Sequence, residues 1–211
     1  MKQIKNRDRV TKFAEVNTSQ KEIVNMLNLV EQETLRIESR FLESACGDGN
    51  FLLEILSRKI NILSTKYKKN QYEFERNSIV MVGSLYGIDI LLDNTLTAKK
   101  RLLDKFLQKY NELFQETTSE EFIKSIKFIL DKNIVHGDAL TLNKVNSKDP
   151  IVFSQWNILD NKVKRRDYSF ANLISYAPFD KDTLFSDLGD EVSIPKTVKD
   201  YKLVDYKKVY K

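Results

Sequence analysis

The sequence predicts an α/β fold with a small, parallel-rich sheet, flanking helices and a C-terminal hairpin. Three observations predict it. Short apolar runs that read as strands alternate with longer runs of helical period between Ser19 and Asp138. The three strand-like runs end at Glu43, Asp89 and Gly137-Asp138, and after Asp138 two extended runs follow one another around Asp160-Asn161. Alternating strands and helices imply parallel pairing through crossover helices, whereas two strands joined by a short polar turn imply an antiparallel hairpin.

Taken in order, residues 1 to 17 begin basic and polar, and Ser19-Gln20-Lys21-Glu22 has the spacing of a capping box. Ile23, Leu27 and Val30 then share one helical face, so a helix starts near Ser19. Phe41-Leu42-Glu43 reads as a short strand leading into the turn Ala45-Cys46-Gly47-Asp48-Gly49, after which Phe51, Leu52, Ile55 and Leu56 resume a helical period. A charged stretch from Lys66 to Arg76 precedes another helix and a second strand, Leu85 to Ile90. Asp93 or Asn94 is placed to cap an amphipathic helix through Leu96, Leu103, Phe106, Leu107 and Tyr110. A further helix spans about Ser119 to Leu130, with Phe122 and Ile126 on its apolar face. The third strand runs from Asn133 to His136, and the hairpin pairs Ile151 to Leu159 with Val163 to Phe170. These assignments divide the chain into a ligand-binding domain, residues 1–175, and a polar, basic extension, residues 176–211.

Composition narrows the classes. With 41% hydrophobic and 10% aromatic residues in 211, one domain has enough material for a core. The net charge of +5 is too mild to establish a nucleic-acid partner by itself, and most of the excess sits in the six lysines between Lys196 and Lys211. No run approaches the ~18 consecutive apolar residues of a membrane span. The single cysteine, Cys46, forms no internal disulfide, which with the absence of a secretory leader pattern leads us to expect a cytoplasmic protein without membrane attachment. One cysteine and one histidine, His136, do not make a zinc-type centre, so no metal is expected.

The chemistry is carried by the glycine turn and the acidic strand ends. A glycine-rich turn between strand and helix lets backbone approach a ligand and points free helix amides at it, and in a parallel sheet ligands sit outside the carboxyl ends of the strands. Glu43, Asp89 and Asp138 are therefore expected to converge on one crevice, where one carboxylate suits a ribose diol and another an amino group. Turn residues at strand ends explain the same acids without a ligand.

The segment from Phe41 to Leu52, with Glu43, Ala45-Cys46-Gly47-Asp48-Gly49 and Phe51, resembles the cofactor loop of amino-directed DNA methyltransferases, particularly the modification subunits of restriction systems. Ser44 stands where that family usually has proline. Upstream, Ala14-Glu15-Val16-Asn17-Thr18 resembles the family's Gly-Glu-Val-Phe-Thr segment, with Asn17 in place of the aromatic. Tyr86-Gly87-Ile88-Asp89-Ile90 and His136-Gly137-Asp138-Ala139-Leu140 resemble its second and third cofactor motifs. The resemblance implies a Rossmann-like methyltransferase fold that binds S-adenosylmethionine through Thr18, Glu43, Ala45, Cys46, Gly47, Asp48, Gly49, Asp89, Ile90, Asp138 and Ala139. In it, Thr18 serves the methionine end, Asp89 the ribose hydroxyls, Ile90 the adenine face, and Asp138 the adenine amino group. Cys46 is expected to be a structural residue of the loop rather than a nucleophile, and His136 likewise.

The resemblance stops at the catalytic tetrapeptide. That family carries an Asn/Asp/Ser-Pro-Pro-aromatic motif whose polar groups accept hydrogen bonds from the target amino group while the aromatic stacks on the flipped base. The three prolines here, Pro150, Pro178 and Pro195, are nowhere adjacent. Trp156-Asn157 at a strand end and Tyr176-Ala177-Pro178-Phe179 are the two candidate substitutes, but ordinary hairpin membership explains the first better, and only a weak strand leads into the second. Catalytic residues thus stay unassigned. Lys164-Arg165-Arg166 with Tyr168 and Phe170 offers phosphate and base contacts, or a solvated hairpin edge. Two functions follow from the resemblance: DNA adenine methylation in a restriction-modification setting with DNA as partner, or a cofactor-binding unit that needs a partner subunit to supply the catalytic motif or target recognition. No separate recognition domain is visible in the sequence.

Overall fold

A computed structural model of the chain describes residues 18–159, 161–175 and 196–211. Helix α1 (Gln20–Asn28) opens with the expected capping box, the Ser19 hydroxyl accepting from the Glu22 amide while the Ser19 amide donates to the Glu22 carboxylate at 3.0 Å. A short α2 (Glu31–Thr34) leads to β1 (Phe41–Glu43), α3 (Asn50–Tyr67) and α4 (Gln71–Gly83). The charged stretch is thus mostly helical, because Asn70 caps α4 by accepting from the Glu73 amide at 3.1 Å. Strand β2 (Leu85–Asp89) follows, then α5 (Leu92–Phe114), α6 (Glu120–Asn133) and β3 (Ile134–Asp138). Neither Asp93 nor Asn94 caps α5. The helix begins two to three residues earlier than either cap implies, at Leu92, and Asn94 turns inward, 1% exposed.

Strands β1, β2 and β3 lie side by side and parallel, with Glu43 opposite Gly87 and Asp89 opposite His136. A two-residue β4 (Asn143–Lys144) adds antiparallel to the end of β3, so the four-stranded sheet is mixed. The hairpin, β5 (Val152–Leu159) and β6 (Lys162–Ser169), forms a separate antiparallel sheet, and Phe170, expected to end its second strand, instead starts α7 (Phe170–Ser175).

Alternation along β2 divides the interior. Leu85 faces the helices, whose apolar stripes (Leu52, Ile55, Leu56, Ile60 and Leu63 on α3; Leu102, Phe106 and Tyr110 on α5; Phe122, Ile126 and Ile129 on α6) form the larger core. Rings of Phe74, Phe106, Tyr110, Phe114 and Phe122 stack within it at 5.3 to 6.3 Å, each pair adding about 0.5–1.5 kcal/mol beyond area burial. Tyr86 and Ile88 point the other way and meet Ile151, Phe153 and Phe170 of the hairpin and α7. At its far end the hairpin drives Trp156 against α4, where a Cβ on Gly83 would lie 2.6 Å from the indole.

The last described segment is not a detached tail. Strand β7 (Lys199–Asp200) pairs with β6, Val204 bridges to Val163, and Tyr206 and Val209 are buried against the helices. Buried Glu75 on α4 accepts from Tyr206 at 3.0 Å, from Gln71 and from Tyr110, and pairs with Lys207 at 3.2 Å. Residues 196–211 therefore belong to the folded body, which corrects their assignment to an extension.

Candidate functional site

The carboxyl ends of β1, β2 and β3 open on one cavity of about 490 Å³. Thr18, Glu43, Ala45, Cys46, Gly47, Asp48, Asp89, Ile90, Asp138 and Ala139 all line it. Parallel pairing is what brings them together, since it sets three strand ends, far apart in sequence, on one edge of the sheet.

The turn after β1 is held by backbone bonds: the Cys46 amide donates to the Ile88 carbonyl at 2.8 Å and the Gly49 amide to the Cys46 carbonyl at 2.9 Å. Gly47 and Gly49 adopt φ of +53° and +87°, which side chains rarely take. Gly49 does not line the cavity. It sits behind the turn, where a Cβ would lie 3.0 Å from that of Ala98 on α5. Asp48 is also tied from behind, by an ion pair with Arg101 at 3.0 Å, and Arg101 further accepts the role of clamp by donating to the Asp48 carbonyl at 2.7 Å.

Asp89 joins the strand ends. One carboxylate oxygen accepts from the Gly47 amide at 2.8 Å, and the other accepts from the Leu91 amide at 2.8 Å and the Asn94 side chain at 3.3 Å. A carboxylate has about four acceptor positions, so Asp89 retains capacity toward the cavity. Asp138 accepts from the Leu140 amide at 2.9 Å through one oxygen. Burial holds the Glu43 carboxyl above its ordinary pKa, partly offset by a hydrogen bond from the Ala45 amide. Burial, reinforced by Asp89 and Glu43, pushes the Cys46 thiol up to about 12, so it remains protonated and unreactive near neutral pH. His136 contacts the Ile90 carbonyl at 3.0 Å and fastens the β2 and β3 ends together.

Comparison of the chain with protein-family models, with curated proteins and with solved structures returns no match.

Seven further residues line the cavity beyond those expected to bind, namely Ser44, Asn50, Phe51, Leu91, Asn94, Gly137 and Leu140. Asn94 carried a misleading signal, since a polar residue at a helix start reads as a cap. Trp156 and Asn157 are not in the cavity. Trp156 is 3% exposed, its ring against Gly83 and Phe128, so no base has access to it. Asn157 lines a separate groove with Arg76 and Arg166. The Tyr176 to Phe179 segment lies outside the described residues.

Lys164, Arg165 and Arg166 do not form one basic surface, because alternate residues of β6 face opposite ways. Lys164 and Arg166 both pair with Asp200. Arg165 makes a two-pronged pair with Asp167 at 2.7 and 2.8 Å, with its guanidinium 4.1 Å from the centre of the Tyr201 ring. All three already have carboxylate partners within the chain. Among the described residues no helix is long and apolar enough to cross a membrane, and no group of three or more His, Cys, Asp or Glu is placed to hold a metal ion.

Proposed function

We propose that the chain binds S-adenosylmethionine in this cavity, as a Rossmann-like methyltransferase domain of the amino-directed DNA class. One observation carries the reading: Glu43, Asp89 and Asp138, from three adjacent parallel strands, line one cavity together with the Ala45–Asp48 turn. The volume falls in the ordinary range for small-ligand sites. Donors on the ligand match acceptors on the chain, with Asp89 facing a ribose diol, Asp138 an adenine amino group, and Glu43 and Thr18 the amino-acid end. Bound there, the cofactor supplies an electrophilic methyl group. The chain's own residues bind and orient it, and protonated Cys46 stays out of the chemistry.

Transfer to an adenine in DNA, in a restriction-modification setting, rests on the motif resemblance. The position of Trp156 and Asn157 favours a second reading, in which the amino-group acceptors come from a partner subunit and this chain holds the cofactor. Both readings share the binding test. Calorimetry should give a saturable heat with S-adenosylmethionine, and Asp89→Ala should weaken binding about tenfold to a hundredfold, the scale of hydrogen bonds to a charged group. Asp89 also anchors the turn through Gly47, so Asp138→Asn, which leaves that anchor intact, serves as the second variant. No heat at millimolar cofactor would refute the proposal. Incorporation of labelled methyl groups into DNA by the chain alone would then decide against the partner-dependent reading.

A further inference from the structure

One stripe of α5 forms a wall behind the turn that lines the cavity. Asn94, Ala98 and Arg101 are spaced i, i+4 and i+7, so they share one face of the helix. Each meets a different part of the site. The Asn94 side chain donates to Asp89 at 3.3 Å, and Asp89 in turn accepts from the Gly47 amide. Ala98 is fully buried, and a Cβ on Gly49 would lie 3.0 Å from its Cβ and 3.3 Å from its Cα. Arg101 fastens the chain with a single nitrogen. Its Nη1 donates to the Asp48 carbonyl at 2.7 Å and to Asn50 Oδ1 at 3.0 Å, and stands 3.0 Å from the Asp48 carboxylate.

The turn needs such an outside fastening. Helix α3 starts after Gly49, which has no side chain to cap it, and two glycines leave the connection with more conformations to choose from than other residues would. Asp89 pins the front of the turn at Gly47. Arg101 pins its rear on both sides of Gly49, at Asp48 and at Asn50. Those two residues line the cavity, while Arg101 itself stands outside the lining. We infer that Arg101 is a positioning residue for the cavity: from the Asn94, Ala98 and Arg101 face of α5 it holds the turn in its ligand-ready shape before any ligand arrives. The consequence for S-adenosylmethionine rests on the cofactor reading above.

The test compares the full chain with Arg101→Met, which keeps an apolar stem and removes the donors, by amide hydrogen exchange without ligand and by calorimetry with S-adenosylmethionine. Exchange at the Gly47 and Gly49 amides should accelerate about tenfold more than at the Val163 amide, which bonds to the Val204 carbonyl at 2.8 Å in the hairpin. Affinity measured well below the unfolding transition should fall about tenfold, because binding must then draw the turn back into shape. Tyr206→Phe, whose hydroxyl serves Glu75 and not the cavity, should lower stability and leave affinity unchanged. A purely structural Arg101 would behave in the same way as that control. Arg101→Lys keeps the charge on a compact head without the planar fork, so it should show both changes at smaller size, and it replaces the methionine variant if that one does not fold. Turn amides that accelerate no more than Val163, or an affinity equal to that of the native chain, overturn the inference and leave the cofactor reading in place. If the native chain gives no heat with S-adenosylmethionine, the cofactor reading fails, and hydrogen exchange alone decides whether Arg101 sets the turn.

Discussion

Lys59 sits in the middle of the apolar stripe of α3, 0% exposed, between Leu56 and Ile60. Its ammonium donates to the Ser84 hydroxyl at 2.7 Å and to the carbonyls of Ile37 and Ser39, and lies 4.9 Å from the centre of the Phe41 ring. Among the described residues no carboxylate touches it, and Glu38 and Glu33 act only at a distance. Burial accordingly lowers its pKa from 10.5 to about 7. As pH falls from 10.5, the unfolded chain takes up this proton first, and the folded chain follows only near pH 7. Stability is therefore lost progressively across that window and no further below it. At 1.36 kcal/mol per pH unit, the interval from about pH 9.5 to about pH 7 costs about 3 kcal/mol. Urea unfolding of the native chain and Lys59→Met across this range should show it. The native chain should gain about 3 kcal/mol relative to the variant as pH rises from about 7 to about 9.5, because the other lysines and the tyrosines titrate alike in both. A stability difference that stays constant across the window would refute the desolvated ammonium.

Two further substitutions test the turn and the C-terminal segment. Gly49→Ala forces a side chain into φ of +87° and 3.0 Å from Ala98, whereas Gly47→Ala at +53° meets nothing within 4 Å. Left-handed strain of about 1–2 kcal/mol applies to both, and overpacking adds about 1–3 kcal/mol only at Gly49. Urea midpoints should rank Gly49→Ala below Gly47→Ala, and equal midpoints would disprove the packing argument. Tyr206→Phe removes one donor to buried Glu75 and should lower stability by about 1–2 kcal/mol. An unchanged unfolding midpoint would mean that residues 196–211 unfold separately from the helices.

The sequence by itself determined the elements whose signals are local. The Ser19 capping box, the apolar stripes of the helices, the glycine turn after Glu43 and the two successive extended runs of the hairpin are signals written within a few residues, and the structure has each of them. It also singled out the acidic strand ends, because an acid closing a short apolar run can be seen without knowing its neighbours. Pairing partners were less accessible. Lys164, Arg165 and Arg166 read as free cations because Asp167 and Asp200 reach them only through strand pairing. Trp156 read as a possible base-stacking group because Gly83, which makes room for the indole, lies on another element. Glu75 and Tyr206, separated by most of the chain, gave no sign of their contact. Asn94 looked like a helix cap until its side chain was seen to turn toward Asp89. Local periodicity and turn chemistry are written along the chain, but hydrogen-bond partners and burial depend on which distant segments are packed together, and only the tertiary structure decides that.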